Sequence, residues 1–178
     1  MSGAARIDEA ALIRRLQERS PSRDAAFAEL FDAYRTRVFA VCRNLTRSRA
    51  DAEDATQEVF VALMRALPGF RGESALGTFV HRIAVRIAIK HRLRSVRHSE
   101  LRVETPEHPL VESLEAREEQ RRLSDAVEQL SLEHRTVLAL FAVEDLSHRE
   151  IADILGIPEG TVWSRLHLAR KRLAALLA

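Results

Sequence analysis

The stretch SHREIADILGIPEGTVWSRLHLARKR, residues 147–172, restricts this chain most, because it spells a short helix, a tight turn and a second helix with a basic outer face. Ser147 and Glu150 form an S-x-x-E capping box: the serine oxygen accepts a first-turn N–H and the glutamate reaches back to the cap. A helix is therefore predicted to start near His148. Ile151, Ala152 and Leu155 give it one apolar side, and Gly156 supplies the left-handed residue that lets the chain leave after Leu155. Pro158 suits the first turn of a new helix. There Val162, Leu166, Ala169 and Leu173 recur at helical spacing as a buried stripe, which leaves Trp163, Arg165, His167, Arg170 and Lys171 outward. A DNA major groove admits such a helix.

A capped hairpin with a solvated Lys/Arg face also occurs in small helical domains that bind no nucleic acid. The segregation of charge favours DNA. Cations crowd the second helix and its end, whereas Glu144, Asp145, Glu150, Asp153 and Glu159 lie before it or at its start, where the helix dipole tolerates them. The formal net charge is only +2, so nucleic-acid affinity has to come from local patches and to fall steeply with added salt.

At 178 residues the chain has room for one ordinary domain or two small ones. Aromatics at 5% with abundant Ala, Leu and Arg favour helices over sheets, so an all-α protein is predicted. Cys42 is the one cysteine, which excludes an intramolecular disulfide and any multi-cysteine metal site; on the apolar side of a helix it reads as a small buried hydrophobe. The leading segment MSGAARIDEAALIRRLQERS mixes acids and bases without a signal-peptide core, and no apolar run could span a bilayer. A cytoplasmic protein without membrane insertion is expected.

Residues 8–20 can form a short helix inside an N-terminal extension, 1–22, and the Ser20-Pro21-Ser22 break follows it. Phe27, Leu30, Phe31, Tyr34, Val38, Val41, Cys42 and Leu45 then keep the helical period closely and read as core. Asp51 opens DAEDATQEVFVALMRAL, whose Ala52, Ala55, Val59 and Leu63 point one way and whose Asp54, Gln57, Glu58 and Arg65 point another, until Pro68-Gly69 ends it. The loop FRGESALGT leads to a helix starting near Thr78. Phe79, Ile83, Ala84, Ile87 and His91 mark its inner side, and Arg82, Arg86, Lys90, Arg94 and Arg97 run down the outside. That outer stripe carries no acid, and a solvated face normally mixes signs, so it reads as a phosphate-binding surface. Residues 23–95 thus make a first domain. Periodicity fails over 96–119, where Pro106, Pro109 and a surplus of glutamates, among them Glu100, Glu104, Glu107, Glu112, Glu115 and Glu118, indicate a flexible acidic linker. Helix resumes near Arg121 and continues through the Ser131-capped LEHRTVLALFAVE, within a second domain over 120–178.

In this order the segments FAELFDAYRTRVFAVC, DAEDATQEVF, LPGFRGESALGTFVHRIA, LSLEHRTVLAL and LSHREIADILGIPEGTVWSRLHLARKRL resemble the two-domain extracytoplasmic-function (ECF) group of bacterial sigma factors. The resemblance implies sigma domain 2 and a helix-turn-helix sigma domain 4, joined by the linker. It implies that DAEDATQEVF docks the clamp helices of the RNA polymerase β′ subunit through Asp51, Asp54, Gln57 and Glu58. Periodicity by itself shows only a polar helix face, which can pair with a basic partner.

The resemblance further implies that the promoter −10 element, as a melted non-template strand, is read by Phe70, Arg71, Ser74, Leu76, Phe79, Arg82, Arg86, Lys90 and Arg94. An unstacked base needs a pocket, and a single strand needs cations to hold it. The chain departs from the family here: Phe79 stands where Trp is usual, Arg86 where Asn is common, Lys90 where Asp is common and Leu76 where an aromatic is frequent. Two extra cations predict stronger backbone binding with altered base choice. The −35 duplex falls to Glu159, Thr161, Trp163, Ser164, Arg165, His167, Arg170 and Lys171, with Trp163 replacing the commoner Lys or Arg. Arg165 is suited to guanine edges, and Arg170 and Lys171 to phosphates. The second domain is also expected to touch the flap of the β subunit, and an anti-sigma factor to hold the protein inactive.

Two other classes compete. An enzyme with a carboxylate metal site at Asp51, Glu53, Asp54 and Glu58 lacks the Glu-x-x-His pairs that helical di-metal sites use, and no phosphate-loop motif occurs. Neither catalysis, a metal nor a cofactor is expected. A stand-alone helix-turn-helix regulator would need a self-association surface and would bind its site unaided; addition of core polymerase separates it from a sigma factor.

Overall fold

The computed structural model describes residues 8–18, 22–98 and 114–178, and among them every regular element is helical. Helix α1 (Glu9–Gln17) is capped by Asp8, whose carboxylate accepts the Ala11 N–H at 3.1 Å. Its Leu12 and Leu16, one helical turn apart, are buried against α2 (Ser22–Leu45). Arg15 pairs with Glu29 at 2.7 Å, and the Gln17 amide donates to the Phe70 carbonyl. The expected N-terminal extension is thus part of the core, because two apolar residues four apart on a short helix need a cover.

Along α2, Leu30, Tyr34, Val38, Val41, Cys42 and Leu45 are buried as the spacing predicts. Phe31 departs from the prediction: it lies at the border of the stripe, 40% exposed, with its ring 4.6 Å from that of Phe60. Helix α3 (Arg49–Ala66) starts ahead of Asp51, since Ser48 is its cap and accepts the Asp51 N–H at 3.0 Å. Ala52, Ala55, Val59 and Leu63 are buried, and a single 3-10 turn, Leu67–Gly69, ends the helix at the proline-glycine pair.

Helix α4 (Leu76–His98) begins before the expected Thr78. Gly77 sits where an added Cβ would meet the Tyr34 hydroxyl at 3.5 Å, so the start of α4 packs closely on α2. Beyond Ile83, Ala84 and Ile87, the residues Leu76, Val80, His81, Val85 and Ala88 are also buried. A helix apolar on more than one side is covered on more than one side. Here α2 and α3 cover one side of α4, and a helix of the C-terminal half covers another.

That half opens with α5 (Leu114–Glu128), which begins ahead of Arg121, while α4 runs on to His98. Both ends of the predicted linker are therefore helical, and its middle, 99–113, lies outside the described residues. Helix α6 (Leu132–Glu144) is capped by Ser131, which accepts the His134 N–H at 3.3 Å. Arg135 is almost fully buried; it donates to the carbonyls of Val127, Glu128 and Leu130 and to the Glu128 carboxylate at 2.9 Å. It closes carbonyls that the end of α5 leaves without helical partners. Helix α7 (His148–Leu155) carries the predicted capping box in full, and Gly156 takes φ 66° at its end. Helix α8 (Glu159–Leu177) buries Val162, Leu166 and Ala169.

The core is continuous from Leu12 to Leu166. Where the sequence predicts two modules on a tether, α6 packs on α2 and α7 packs on α4. Val137, Ala139 and Leu140 of α6 are the reason: α8 covers part of that helix, and the remainder of its apolar surface meets the first half. Val137 and Leu140 each gain roughly 1.5–3 kcal/mol on full burial.

Replacing Ser147 with Ala should lower unfolding stability by about 1 kcal/mol in urea titration at neutral pH. The Ser147 hydroxyl and then its backbone N–H hold the Glu150 carboxyl below the usual carboxylate range. The stabilisation is thus complete above that range and lost as pH falls through the lower folded-state value. The difference between wild type and variant should shrink on acidification; a difference that grows in acid contradicts the capping box as its source.

Candidate docking and nucleic-acid surfaces

Helix α3 presents a polar face opposite its buried stripe, formed by half-buried Asp51 and exposed Asp54 and Gln57. Glu58, predicted to share that face, is turned toward α4: its carboxylate accepts from Lys90 Nζ at 2.6 Å and meets His91 Nε2 at 2.7 Å. Hydrogen bonding from Lys90, then from His91, holds this carboxyl below its ordinary range. Val61 and Met64, 47% and 49% exposed, continue the Gln57 side of the helix at i+4 and i+7. The face is therefore carboxylate and amide at one end and apolar at the other. Sequence reasoning passed over Val61 and Met64, although their spacing from Gln57 placed them away from the buried stripe.

Of the residues expected to meet a single strand, the structure places two inside. Leu76 is 1% exposed, in the core at the start of α4, and Phe70 is 6% exposed, with its ring 4.7 Å from Phe79 and its carbonyl held by Gln17. Both read as packing residues in this arrangement, because the loop between the 3-10 turn and α4 has to fold its apolar ends inward. Arg71 is exposed, Ser74 and Phe79 half-buried, and Gly72 takes φ 72° between them.

On α4, Arg82, Arg86, Lys90 and Arg94 are all exposed on one side; the Arg97 side chain lies outside the described residues. The stripe is not uniformly available. Lys90 is held by Glu58, and Arg82 donates from Nε at 2.9 Å and from Nη2 at 2.7 Å to the Asp153 carbonyl of α7. Arg86 pairs with no acid among the described residues.

The outer face of α8 keeps the predicted pattern. Trp163 is 59% exposed and lies parallel to His167, ring centroids 5.6 Å apart, with Ser164, Leu168, Lys171 and Arg172 around them. Glu159 is exposed and Thr161 half-buried at the start of the helix. Two arginines depart from the expected outward reach. Arg165 pairs with Glu133 at 2.9 Å, and Arg170 lies over the Phe141 ring at 4.8 Å, where Phe141 also stacks on His148. An ion pair with an exposed acid is worth only about 0–1 kcal/mol, so a base edge can take Arg165 from Glu133 at little cost. Arg170 is directed toward α6 because the guanidinium gains from the ring face.

Among the described residues no cluster of His, Cys, Asp and Glu could hold a metal ion, and no helix is long and apolar enough to cross a membrane.

Residues 30–98 match the family Sigma-70 region 2, and residues 120–173 match Sigma-70, region 4. The ECF RNA polymerase sigma-E factor of Haemophilus influenzae is 32% identical over 190 aligned positions, covering 96% of this chain and 95% of that protein. The RNA polymerase sigma-H factor of Pseudomonas aeruginosa is 30% identical, over 83% and 84% of the two chains. Among solved structures, CnrH in complex with the cytosolic domain of CnrY shares the fold, with TM-score 0.73 at 24% identity over 95% of this chain and 96% of that one. The sigma factor RpoE of Bartonella quintana, solved with the anti-sigma factor NepR, gives TM-score 0.70 at 24% identity over 85% and 96%. With both sigma regions matched in order along one helical chain, and a relative of like identity over nearly its whole length, this chain belongs to the ECF sigma factors of RNA polymerase.

Proposed function

We propose that this chain is a dissociable promoter-specificity subunit of bacterial RNA polymerase, acting in the cytoplasm without catalytic chemistry of its own. One observation carries the reading: a single chain holds an acidic-to-apolar docking face on α3 and two separate cationic faces, on α4 and α8. A stand-alone helix-turn-helix regulator needs only the last of these.

In this reading Asp51, Asp54 and Gln57, with Val61 and Met64 beyond them, seat on the β′ clamp helices of core polymerase. Carboxylates steer a basic partner into register, and desolvated apolar side chains hold it there. Glu58 contributes by positioning Lys90 and His91, and it joins the interface only by releasing them. Arg71, Ser74, Phe79, Arg82, Arg86, Lys90 and Arg94 line the path of the melted −10 strand, the cations taking phosphates. Trp163, Ser164, Arg165, His167 and Lys171 meet the −35 duplex, with Glu159 and Thr161 at the helix start, where groove contacts concentrate. Arg170 serves from the rim once it leaves Phe141. The C-terminal half also contacts the β flap. An anti-sigma factor controls the protein; the likeness to two sigma chains whose solved structures include CnrY and NepR supports this.

Run-off transcription with purified core polymerase on a randomised promoter library tests the role. Addition of this protein should enrich one two-part promoter class, and an initiation pattern identical with and without it overturns the reading. Replacing Arg86 with Gln should weaken single-strand binding by the holoenzyme and reduce the slope of log affinity against log salt by about 0.7, the value of one phosphate contact on a single strand. An unchanged slope, measured by fluorescence anisotropy, removes Arg86 from the strand path.

A further inference from the structure

We propose that the outer face of α8 reads thymine methyl groups rather than guanine edges, with Trp163 and Leu168 as the specificity-determining residues. The duplex element of the promoter then places thymine under each of them. The inference rests on the reading of α8 as the −35 reader, and adds which base pairs that helix accepts.

The angular order of the side chains comes first. Val162, Leu166 and Ala169 are buried and fix the inner side of the helix. At about 100° per residue, Trp163, Ser164, His167 and Leu168 lie roughly 90° or more from the middle of that stripe, and all four are exposed. Trp163 is 59% and Leu168 49% exposed, so the face that would enter a groove is largely apolar. Five residues apart, the two are separated by about 7.5 Å along the axis. That is close to two base steps of about 3.4 Å each.

The guanidiniums stand elsewhere. Arg165 and Arg170 fall about 70° to either side of the middle of the buried stripe, where neighbouring helices engage them. Glu133 holds Arg165 at 2.9 Å, and Arg170 lies 4.8 Å from the centre of the Phe141 ring. Residues 163–168 contain no other lysine or arginine. Lys171 and Arg172 are exposed, but they begin about 12 Å beyond Trp163 along the axis. A recognition helix sets its N-terminal residues against base edges, so cations this far along it are left for phosphates.

Base chemistry then decides what this face accepts. A guanine edge offers two acceptors, O6 and N7, and is read by a cation that meets both. An indole has a single N–H and a leucine has no donor. Covering guanine with either side chain takes acceptors from water without replacing all their hydrogen bonds, which is unfavourable. Thymine alone among the four bases presents an apolar group in the major groove, its C5-methyl, and an apolar side chain gains by burying it. The His167 ring adds rigidity. It lies within 5° of parallel to Trp163, so the indole is held in place before DNA arrives and less freedom is lost on binding. Ser164 can bond to any base edge and leaves the choice to its neighbours.

Selection by the holoenzyme from a duplex library randomised across both promoter elements tests this. Each thymine enriched in the upstream element is then replaced by deoxyuridine, which pairs as thymine does and lacks only the methyl. The wild type should enrich thymine at two or more upstream positions, and removing one methyl should weaken binding in competition about fourfold, the equivalent of one buried methyl-sized group. Trp163→Ala should make one of these positions indifferent to deoxyuridine, and Leu168→Ala another. Leu168→Arg should exchange thymine for guanine at the position that Leu168 covers. Guanine enriched by the wild type in place of these thymines overturns the methyl contact and leaves the −35 role of α8 standing, as do thymines that tolerate deoxyuridine without loss. An upstream element with no enriched base overturns that role and the inference with it. The deoxyuridine comparison uses the unaltered protein, so it decides the matter alone should a variant fail to assemble with core polymerase.

Discussion

The central constraint is the double burial of α4. Its 23 residues bury Leu76, Val80, Ile83, Ala84, Val85, Ile87 and Ala88, which occupy too much of the circumference for one neighbouring layer to cover. A helix of this kind has to be sandwiched. Helices α2 and α3 form one wall, and α7 forms the other, with α6 on α2 beside it. The cationic residues are left the narrow strip at the edge of the walls, where Arg86, Lys90 and Arg94 align and Glu58 of α3 reaches Lys90. One packing requirement thus fixes both the continuity of the core and the position of the cationic strip on α4.

Charge is arranged around that sandwich by the same logic. Where the two walls meet, polar side chains are paired across them: His81 with Glu144, Arg92 with Glu128 and Arg82 with the end of α7. Away from the junction, Asp54 and Gln57 of α3 and Ser164, His167 and Lys171 of α8 are exposed to water. Pairing is needed at the junction because an unpartnered buried charge costs several kcal/mol; it is not needed at the outer faces, where water supplies the partner. A near-neutral chain can in this way carry an acidic face and basic faces without cancelling either.

Local elements were legible because local chemistry specifies them. The Ser147–Glu150 box, the left-handed Gly156, the stop at Pro68-Gly69 and the Ser131 cap follow from backbone hydrogen bonding and recur in the structure, as does the stripe Val162, Leu166, Ala169, whose predicted fourth member, Leu173, is only half-buried near the helix end. Errors fell where a residue sits at the margin of a stripe or just outside an expected boundary. Phe31 is at such a margin and is exposed; Leu76 and Phe70 read as loop residues and are core. Arg165, Arg170 and Lys90 were placed correctly on outer faces, but Glu133, Phe141 and Glu58 engage them from other helices.

The sequence by itself determined eight helical segments in outline, the capped hairpin and its groove-sized reading helix, the acidic face of α3 and the cationic edge of α4, since each depends on residues within about one or two turns of one another. Tertiary structure alone decided that the halves share a core and that Arg82 and His81 are held from the far half. It also decided which expected contact residues are inside. Periodicity records which side of a helix is apolar; it does not record how many neighbours that side will meet, nor which acid from another helix will come within hydrogen-bonding distance.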